Sequence, residues 1–245
     1  MSETMTQKKF ITIYETLRKD IIESRISYGA QLPSEHELVE SYQASRETVR
    51  KALNLLVREG MIQKIRGKGS IVIYQGVTEF PFVDLTSFRE VQRGLGLQHD
   101  TEVKMIESIT AGDVPRVKEA LNISMNTVLC HVVRTRKIDD RVKIIDEDYL
   151  IEEIVPNVTA EIATNSLYQY IEETLGLEIS YSNKSITFEP FGEMEYEVFG
   201  EINPAYTATV RGIVHLKDTT IFQYNISKHL ATEFKFNDFS RRHKL

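Results

Sequence analysis

The chain has 245 residues, a formal net charge of −6 and 41% hydrophobic residues; this length exceeds what one small domain needs and predicts two. The sequence has neither a secretory signal pattern nor an apolar run long enough to span a membrane, so we expect a cytoplasmic protein. The single cysteine, Cys130, excludes an intramolecular disulfide and is interpreted as a small buried hydrophobic residue. No His or Cys cluster has metal-ligand spacing, and no cofactor is expected.

Charge is distributed unevenly along the chain. Up to Gln75, 12 Lys and Arg residues oppose 9 Asp and Glu residues, whereas the remainder has 18 against 27. A basic segment on an acidic body concentrates the attraction for nucleic acid on one surface. Gly76 and Pro81 lie between the two parts in a stretch of little periodicity, which is typical of a connector. We therefore predict a DNA-binding domain over residues 1–74, a linker over 75–83 and a second domain over 84–245.

Two short amphipathic helices are predicted in the basic part. Ser34 and Ser45 each lie where a side-chain oxygen caps the free N–H groups of a new helix. Gln43 and Ala44 leave a tight connection between the helices, which is typical of a helix-turn-helix whose second helix enters the major groove. The apolar positions that recur at helical period are Leu38, Val39 and Tyr42 in the first helix and Val49, Ala52, Leu53 and Leu56 in the second.

The polar face of the second helix carries residue types suited to base recognition. Arginine makes a two-pronged hydrogen bond to guanine, threonine contacts base edges or the thymine methyl, and lysine neutralises phosphate. An alternative is that Glu47 and Lys51, four residues apart, pair along a solvated helix, and spacing alone does not separate the two hypotheses. The polar residues concerned are Arg46, Glu47, Thr48, Arg50, Lys51 and Asn54.

A basic hairpin is predicted directly after the second helix. Gly60 ends the helix, and β-like runs over 61–65 and 70–74 flank the sequence Arg-Gly-Lys-Gly at 66–69. The glycines permit the positive φ of a tight turn, and Arg66 and Lys68 supply phosphate or minor-groove contacts. Such a turn by itself is typical of an ordinary surface hairpin, but its position after the two helices favours the wing of a winged helix-turn-helix.

These segments resemble the N-terminal domain of GntR-type bacterial transcription regulators. The resemblance rests on LPSE, SRETVRKAL, EGMIQKIRGKGS and an upstream helix predicted over 11–24, and it spans nearly all of the first 74 residues. Ser24 departs from the pattern, because many members have glycine where the first helix closes. The resemblance implies DNA contacts from Ser34, Glu35 and His36, from Ser45, Arg46, Glu47, Thr48 and Arg50, and from Arg66, Gly67, Lys68 and Gly69.

The acidic part alternates strand and helix signals. Strands are predicted over 101–108, 127–138, 142–150, 178–189, 206–217 and 220–230, and helices over 113–121 and 165–175. The short connections at 139–141 and at Asp218 join consecutive strands. They predict an antiparallel sheet with helices packed on it, which is an α+β domain.

Arg134 and Arg136 form the sharpest candidate site of the acidic part. Strand periodicity places both on one face, beside a helix that opens at Ser166 with Tyr168 in its first turn. Two guanidiniums, a hydroxyl and the positive end of a helix suit a phosphate monoester. The alternative, which spacing alone favours, is that the arginines pair with Asp146 or Glu147 on the facing strand.

The acidic part resembles the UTRA effector domain, which shares its fold with chorismate lyase. The resemblance rests on LTSF at 85–88, RTRKID at 134–139, IDEDYL at 145–150 and NSLYQYIEETLG at 165–176. His229 taken alone is more typical of an ordinary strand residue. In members that sense sugar phosphates, the resemblance implies phosphate contacts from Ser87, Arg134, Arg136, Ser166 and Tyr168, with Asp146, Gln223 and His229 nearer the sugar.

Together the two resemblances imply a homodimeric repressor of a sugar-utilisation operon that a sugar phosphate releases from its operator. FITIYE near the start and FNDFSRR at the end are similar to members that control trehalose operons in Gram-positive bacteria. That similarity implies trehalose 6-phosphate as effector, with glucosamine 6-phosphate as an alternative; the residues themselves indicate only a phosphorylated polyol. Two alternatives to a repressor are considered. One is an enzyme that uses Asp146, Glu147 or Asp148 as a base, and the other is an activator or an architectural DNA-binding protein.

Overall fold

A computed structural model of the chain describes residues 2–75, 99–138 and 140–236. These residues form two compact units that divide between residues 75 and 99, and we call them the headpiece and the effector unit. Nearly all of the predicted linker over 75–83, and the predicted start of the second domain at 84, lie outside the described residues. Within the described ranges, no helix is long and apolar enough to cross a membrane.

The headpiece has the predicted helix-turn-helix followed by a two-stranded hairpin. The upstream helix is longer than predicted, and Ser24, the residue that replaces glycine, adopts the left-handed conformation with φ of 57°. The segment before the second helix also pairs with the hairpin, since Leu32 N–H donates to the Ser70 carbonyl at 2.8 Å. The elements are α1 (Ser2–Ile22), α2 (Glu35–Tyr42), α3 (Arg46–Arg58), β1 (Ile62–Ile65) and β2 (Gly69–Val72).

Both predicted caps start their helices. Ser34 forms a reciprocal capping box with Glu37, since its Oγ accepts from the Glu37 N–H at 3.2 Å and its own N–H donates to the Glu37 carboxylate at 2.7 Å. Ser45 Oγ accepts from the Thr48 N–H at 3.1 Å. The apolar faces of α1 and α3 then meet in one core, where Val49, Leu53 and other stripe residues are fully buried.

The effector unit is built on one six-stranded antiparallel sheet, as predicted. Its strand order is β3-β4-β5-β8-β7-β6, so the predicted hairpins are present and β8 crosses back to lie beside β5. The strands are β3 (His99–Thr110), β4 (Val128–Ile138), β5 (Arg141–Ile151), β6 (Ile179–Pro190), β7 (Tyr206–Leu216) and β8 (Ile221–Leu230).

The helices of the effector unit differ from the prediction in four places. The sequence predicts neither α5 (Ala160–Asn165) nor α7 (Glu193–Phe199), which are too short to show a periodic stripe. The helix predicted over 165–175 is α6 (Leu167–Gln169), which continues as a π-helix over Tyr170–Thr174. The helix predicted over 113–121 is α4 (Pro115–Leu121), preceded by a 3₁₀ turn at Ala111–Asp113.

The two faces of the sheet carry different chemistry. Cross-strand register places Arg134, Asp146 and Ser227 opposite one another on adjacent strands, on a face that we call the site face. Helices α5 and α6 lie on this face, with Ala163 and Leu167 in a core shared with the sheet. The other face carries Glu147, Tyr149 and Lys228, and α4 packs against its apolar part.

Candidate DNA interface and effector site

The outer surface of α3 presents two arginines to solvent. Arg46, Glu47 and Arg50 are all exposed. Arg50 Nε donates to the Glu35 carboxylate of α2 at 2.9 Å. Among the described contacts, no ion pair joins Glu47 to Lys51, which was the alternative interpretation of this face. Glu35 therefore holds one of the two arginines while leaving it at the surface.

Thr48 does not share that surface. Its side chain is only 2% exposed, and its Oγ1 lies 2.8 Å from Ser45 Oγ. Ser34 and Ser45 are themselves engaged as helix caps, while His36 is exposed near Glu40, with Nδ1 3.5 Å from the carboxylate. Ser34, Ser45 and Thr48 therefore fix the starts of α2 and α3. The side chains of His36, Arg46, Glu47 and Arg50 are exposed on these two helices.

The hairpin tip has the geometry expected of a wing. Gly67 and Gly69 have φ of 80° and 81°, in the left-handed region that glycine favours. A Cβ on Gly69 would lie 2.9 Å from Gln31 Nε2, whereas nothing lies within 4 Å of one on Gly67. Arg66 and Lys68 are exposed on either side of Gly67, so the turn projects two cations.

Lys64 joins the wing to the two helices, a role that sequence reasoning missed. Its Nζ donates to Asn54 Oδ1 of α3 at 3.1 Å and lies 3.7 Å from Glu35 Oε1 of α2. Strand β1 thus places a cation within the cluster that holds Arg50. The sequence places Lys64 one residue before the end of the predicted strand. Its partners in α2 and α3 can be identified only from the fold.

The candidate effector site is centred on two buried ion pairs. Arg134 Nη2 donates to Asp148 at 2.5 Å, and Arg136 Nε donates to Asp146 at 2.5 Å. The alternative interpretation is thus correct for Arg136 and Asp146, while Glu147 points to the opposite face. All four paired side chains are buried. Burial opposes ionisation of Asp146, but Arg136 and Arg134 hold its pKa below the ordinary value.

Ion pairing does not exhaust the hydrogen-bonding capacity of Arg134. Its Nη1 donates to the Ala163 carbonyl of α5 at 3.1 Å. Its Nε is buried and has no hydrogen-bond partner among the described residues. A buried guanidinium with a donor unused is unusual, because buried polar groups are normally satisfied. The site face therefore retains donor capacity for an anion.

Ser166 and Tyr168 lie at the edge of this site. Ser166 is buried and caps α6, since its Oγ accepts from the Gln169 N–H at 3.2 Å. Burial raises the pKa of Tyr168, and the nearby Asp148 carboxylate raises it further. The phenol therefore keeps its proton and can donate it in a hydrogen bond. Ser87, the remaining predicted phosphate contact, lies outside the described residues.

The residues predicted near a sugar join the same network. Gln223 Nε2 donates to Asp148 Oδ1 at 2.6 Å, across 75 positions of sequence. Ser227, which sequence reasoning missed, donates from Oγ to Asp146 Oδ1 at 2.5 Å. His229 Nε2 lies 3.0 Å from the same Ser227 oxygen. Because the Ser227 proton is directed to Asp146, His229 is the donor in that contact.

His229 makes stability depend on pH. Burial lowers its pKa from 6.5 to about 4, so the folded protein holds it neutral while the unfolded chain takes up a proton below 6.5. This contribution to stability is complete above pH 6.5 and is lost as the pH falls toward 4. We expect the wild type to lose about 2 kcal/mol of unfolding free energy relative to His229→Gln when the pH falls from about 7 to about 5.

Urea unfolding of both proteins across this range measures that difference. His131 acts with the opposite sign, because Glu147 and Glu107 raise its pKa despite burial, but it is present in both proteins and cancels. Replacement of the exposed His36 by Gln controls for the loss of an imidazole. If the unfolding free energies of wild type and His229→Gln changed in parallel with pH, the lowered pKa of His229 would be contradicted.

The opposite face carries a structural charge network. Lys228 Nζ lies 2.6 Å from the carboxylates of both Glu147 and Glu195, which ties α7 to the sheet. Burial opposes ionisation of Glu147, but His131 and Lys228 lower its pKa to about 2. Such a carboxylate is a poor base near neutral pH.

Cys130 is buried as predicted, and burial raises the pKa of its thiol to about 11, which disfavours the nucleophilic thiolate.

Two family descriptions cover most of the chain. Residues 11–72 match the bacterial regulatory proteins of the gntR family, and residues 94–235 match the UTRA domain. Over 240 residues the chain is 41% identical to the HTH-type transcriptional regulator TreR of Bacillus subtilis (strain 168), covering 98% of this chain and 100% of that protein. The matched relatives are named as transcriptional regulators and not as enzymes, so the enzymatic alternative is rejected.

Solved structures have the same architecture. The crystal structure of possible transcriptional regulator YydK from Bacillus subtilis superposes with a TM-score of 0.80 at 25% identity, covering 95% of this chain and 99% of that one. The structure of the Bacillus subtilis trehalose repressor (TreR) effector binding domain superposes with a TM-score of 0.53 at 36% identity, covering 59% of this chain and 99% of that domain. The predicted α+β class is confirmed.

Proposed function

The chain belongs to the GntR family as a transcriptional repressor with a gntR-type DNA-binding domain and a UTRA domain, and we propose that it controls a trehalose-utilisation operon and binds trehalose 6-phosphate as effector. The proposal draws on the 41% identity to TreR and on the site described above. As a bacterial DNA-binding regulator, it acts in the cytoplasm.

The observation that carries the proposal is the pair of buried arginines on one face of the sheet. Arg134 and Arg136 hold two carboxylates, yet Arg134 Nε remains unpaired among the described residues. An anionic ligand that approaches this face meets two guanidiniums and the Tyr168 hydroxyl. Asp146, Gln223 and His229 then supply the acceptors and donors that sugar hydroxyls need. This combination fits a phosphorylated sugar better than a neutral one.

The DNA-binding arrangement follows from the exposed face of α3. Two copies of the chain place their α3 helices in successive major grooves of a palindromic operator, with half-sites ~10 bp apart or at a modest displacement from that spacing. Arg46 and Arg50 contact base edges, while Arg66 and Lys68 of the wing contact phosphates or the minor groove. The effector unit provides the homodimer interface, which gives the palindrome its matching two-fold symmetry.

Regulation requires that the effector bind the DNA-incompetent arrangement more tightly than the competent one. Typical coupling of ~1 to 3 kcal/mol corresponds to ~5- to 150-fold loss of operator affinity. By reciprocity, operator DNA weakens effector binding by the same factor. This linkage gives the proposal a quantitative check that does not depend on knowing the path between the domains.

Titration of the full chain tests the proposal directly. We expect calorimetry to show tight binding of trehalose 6-phosphate, and fluorescence anisotropy to show release from operator DNA at the same effector concentrations. Glucosamine 6-phosphate and glucose 6-phosphate serve as comparison ligands. Preferred binding of glucosamine 6-phosphate would identify a regulator of another sugar. Operator binding that effector leaves unchanged or strengthens would favour an architectural protein or an activator.

A further inference from the structure

The site face continues beyond the arginines across β8 and β7 toward the β6 edge of the sheet. In one row of cross-strand partners, Asp148 on β5 lies opposite Asn225 on β8, Asn225 opposite Gly212 on β7, and Gly212 opposite Lys184 on β6. Adjacent strands are about 4.8 Å apart, so Gly212 lies roughly 10 Å from Asp148 along the sheet. That distance exceeds what a single phosphorylated hexose at the arginines needs.

Gly212 lets the side chains of its neighbours come together on this part of the face. Gly212 occupies the middle of a strand, where glycine weakens pairing and often marks a close approach by a ligand or another group. A Cβ at this position would lie 2.7 Å from Asn225 Oδ1 and 3.0 Å from Ser182 Oγ. The absence of a side chain therefore lets two polar side chains converge above β7. The next residues on this face of β7, Val210 and Ala208, are also small.

Polar atoms in this region lack protein partners. Gln223 is only 2% exposed, and while its Nε2 donates to Asp148, its Oε1 has no hydrogen-bond partner among the described residues. Ser182 Oγ is likewise buried without a partner in the described part of the chain. Unsatisfied buried acceptors and hydroxyls are uncommon in folded proteins and call for an explanation. A ligand rich in hydroxyl groups provides one.

An aromatic pair borders the other end of this face, beside His229, four residues along β7 from the row of Gly212. Phe188 lies opposite Ala208 and is 62% exposed, although it is a large apolar side chain. Its ring packs edge-on against Phe234 with 6.4 Å between centroids, and Phe234 lies 5.4 Å from the His229 ring. Ligand sites combine such apolar walls with a few oriented polar groups. The apolar C–H faces of a sugar ring suit this border.

We propose that Ser182, Gly212, Gln223 and Asn225 form a second sugar subsite, which takes the unphosphorylated ring of a disaccharide phosphate. The inference rests on the proposed function, because it requires the phosphate to be held at Arg134 and Arg136. The first ring then lies over β5 and β8, near Asp146 and His229, and the second lies over β8 and β7. The subsite distinguishes disaccharide phosphates from monosaccharide phosphates.

Calorimetry with two ligands tests the subsite on the full chain. Asn225→Ala removes a polar group that only the second ring contacts, so we expect its affinity for trehalose 6-phosphate to fall about tenfold, the usual loss for one neutral hydrogen bond. Affinity for glucose 6-phosphate should stay within about twofold of wild type, because that ligand lacks the second ring. Gly212→Ala should have the same selective effect, because its Cβ would meet Asn225 Oδ1 at 2.7 Å and Ser182 Oγ at 3.0 Å and displace both groups.

A matched control lies on the same sheet. Asn183→Ala changes an exposed amide on β6, whose neighbours in register point to the other face, and should leave both affinities unchanged. Equal weakening of both ligands in Asn225→Ala, or no weakening of trehalose 6-phosphate, overturns the subsite. If the wild type binds the two ligands equally, the subsite is also rejected, but the proposal of a sugar-phosphate regulator is not. Binding of neither ligand by the wild type overturns the proposed function itself.

Discussion

Arg46→Ala and Arg50→Ala are each expected to reduce sharply the preference of the full chain for its operator over unrelated duplex. A two-pronged arginine contact to guanine contributes about 1 to 3 kcal/mol of discrimination. A symmetric dimer loses the contact in both half-sites, so selectivity should fall roughly 30-fold to 10⁴-fold. Replacement of Arg50 also removes the partner that lies 2.9 Å from Glu35, which leaves that carboxylate with Lys64 at 3.7 Å.

Fluorescence anisotropy with operator and scrambled duplexes at matched salt measures this selectivity. Arg58→Ala is the matched control, because Arg58 is also exposed and lies at the opposite end of the same helix. The control should weaken binding to both duplexes equally or not at all. Thermal stabilisation by effector should be unchanged in all three variants. Wild-type selectivity in both Arg46→Ala and Arg50→Ala would show that α3 is not the recognition helix.

The headpiece could be predicted closely because its signals are local. Ser34 and Ser45 each act on an N–H three residues away, and the apolar stripe of α3 needs only the helical period. Exposure was harder to predict, because a threonine in the first helical turn can face either way. Thr48 turns inward to Ser45, whereas Arg46 and Arg50 remain outside.

The candidate effector site could be predicted only in part, because its contacts depend on register and on strand order. Strand alternation correctly placed Arg134 and Arg136 on one face. It did not identify the diagonal partner of Arg134, which is Asp148 and not the directly opposed Asp146. Nor could it show that β8 lies beside β5, which brings Gln223 to Asp148.

Short helices were missed for a related reason. Helix α5 has six residues and α7 has seven, which is fewer than two full turns of periodic pattern. The switch from α6 to a π-helix at Tyr170 has no sequence signal that we recognise. These elements depend on the sheet beneath them, so tertiary packing and not local propensity fixes their ends.

Replacement of Arg136 is expected to give a repressor that no longer responds to effector. Arg136→Ala removes a guanidinium from the proposed phosphate site, but it also removes the ion-pair partner of the buried Asp146, and breaking a buried ion pair in this way costs about 3 to 5 kcal/mol. A loss of response in this variant alone would therefore have two explanations. Arg136→Lys separates them, because lysine keeps the positive charge opposite Asp146 and lacks the planar fork that binds phosphate oxygens in pairs.

Arg136→Lys should fold with near-wild-type stability, bind operator normally and lose effector affinity about 10- to 100-fold, the cost of one or two charge-assisted hydrogen bonds. Its operator complex should then persist at effector concentrations that release the wild type. Arg141→Ala, at the exposed start of β5, controls for the loss of a cation from the same unit and should respond normally. Because Arg46→Ala loses operator selectivity and keeps the effector response, while Arg136→Lys does the reverse, the pair of variants tests whether the two functions reside in different units. If Arg136→Lys kept wild-type effector affinity, the proposal that the two guanidiniums bind the phosphate would be wrong.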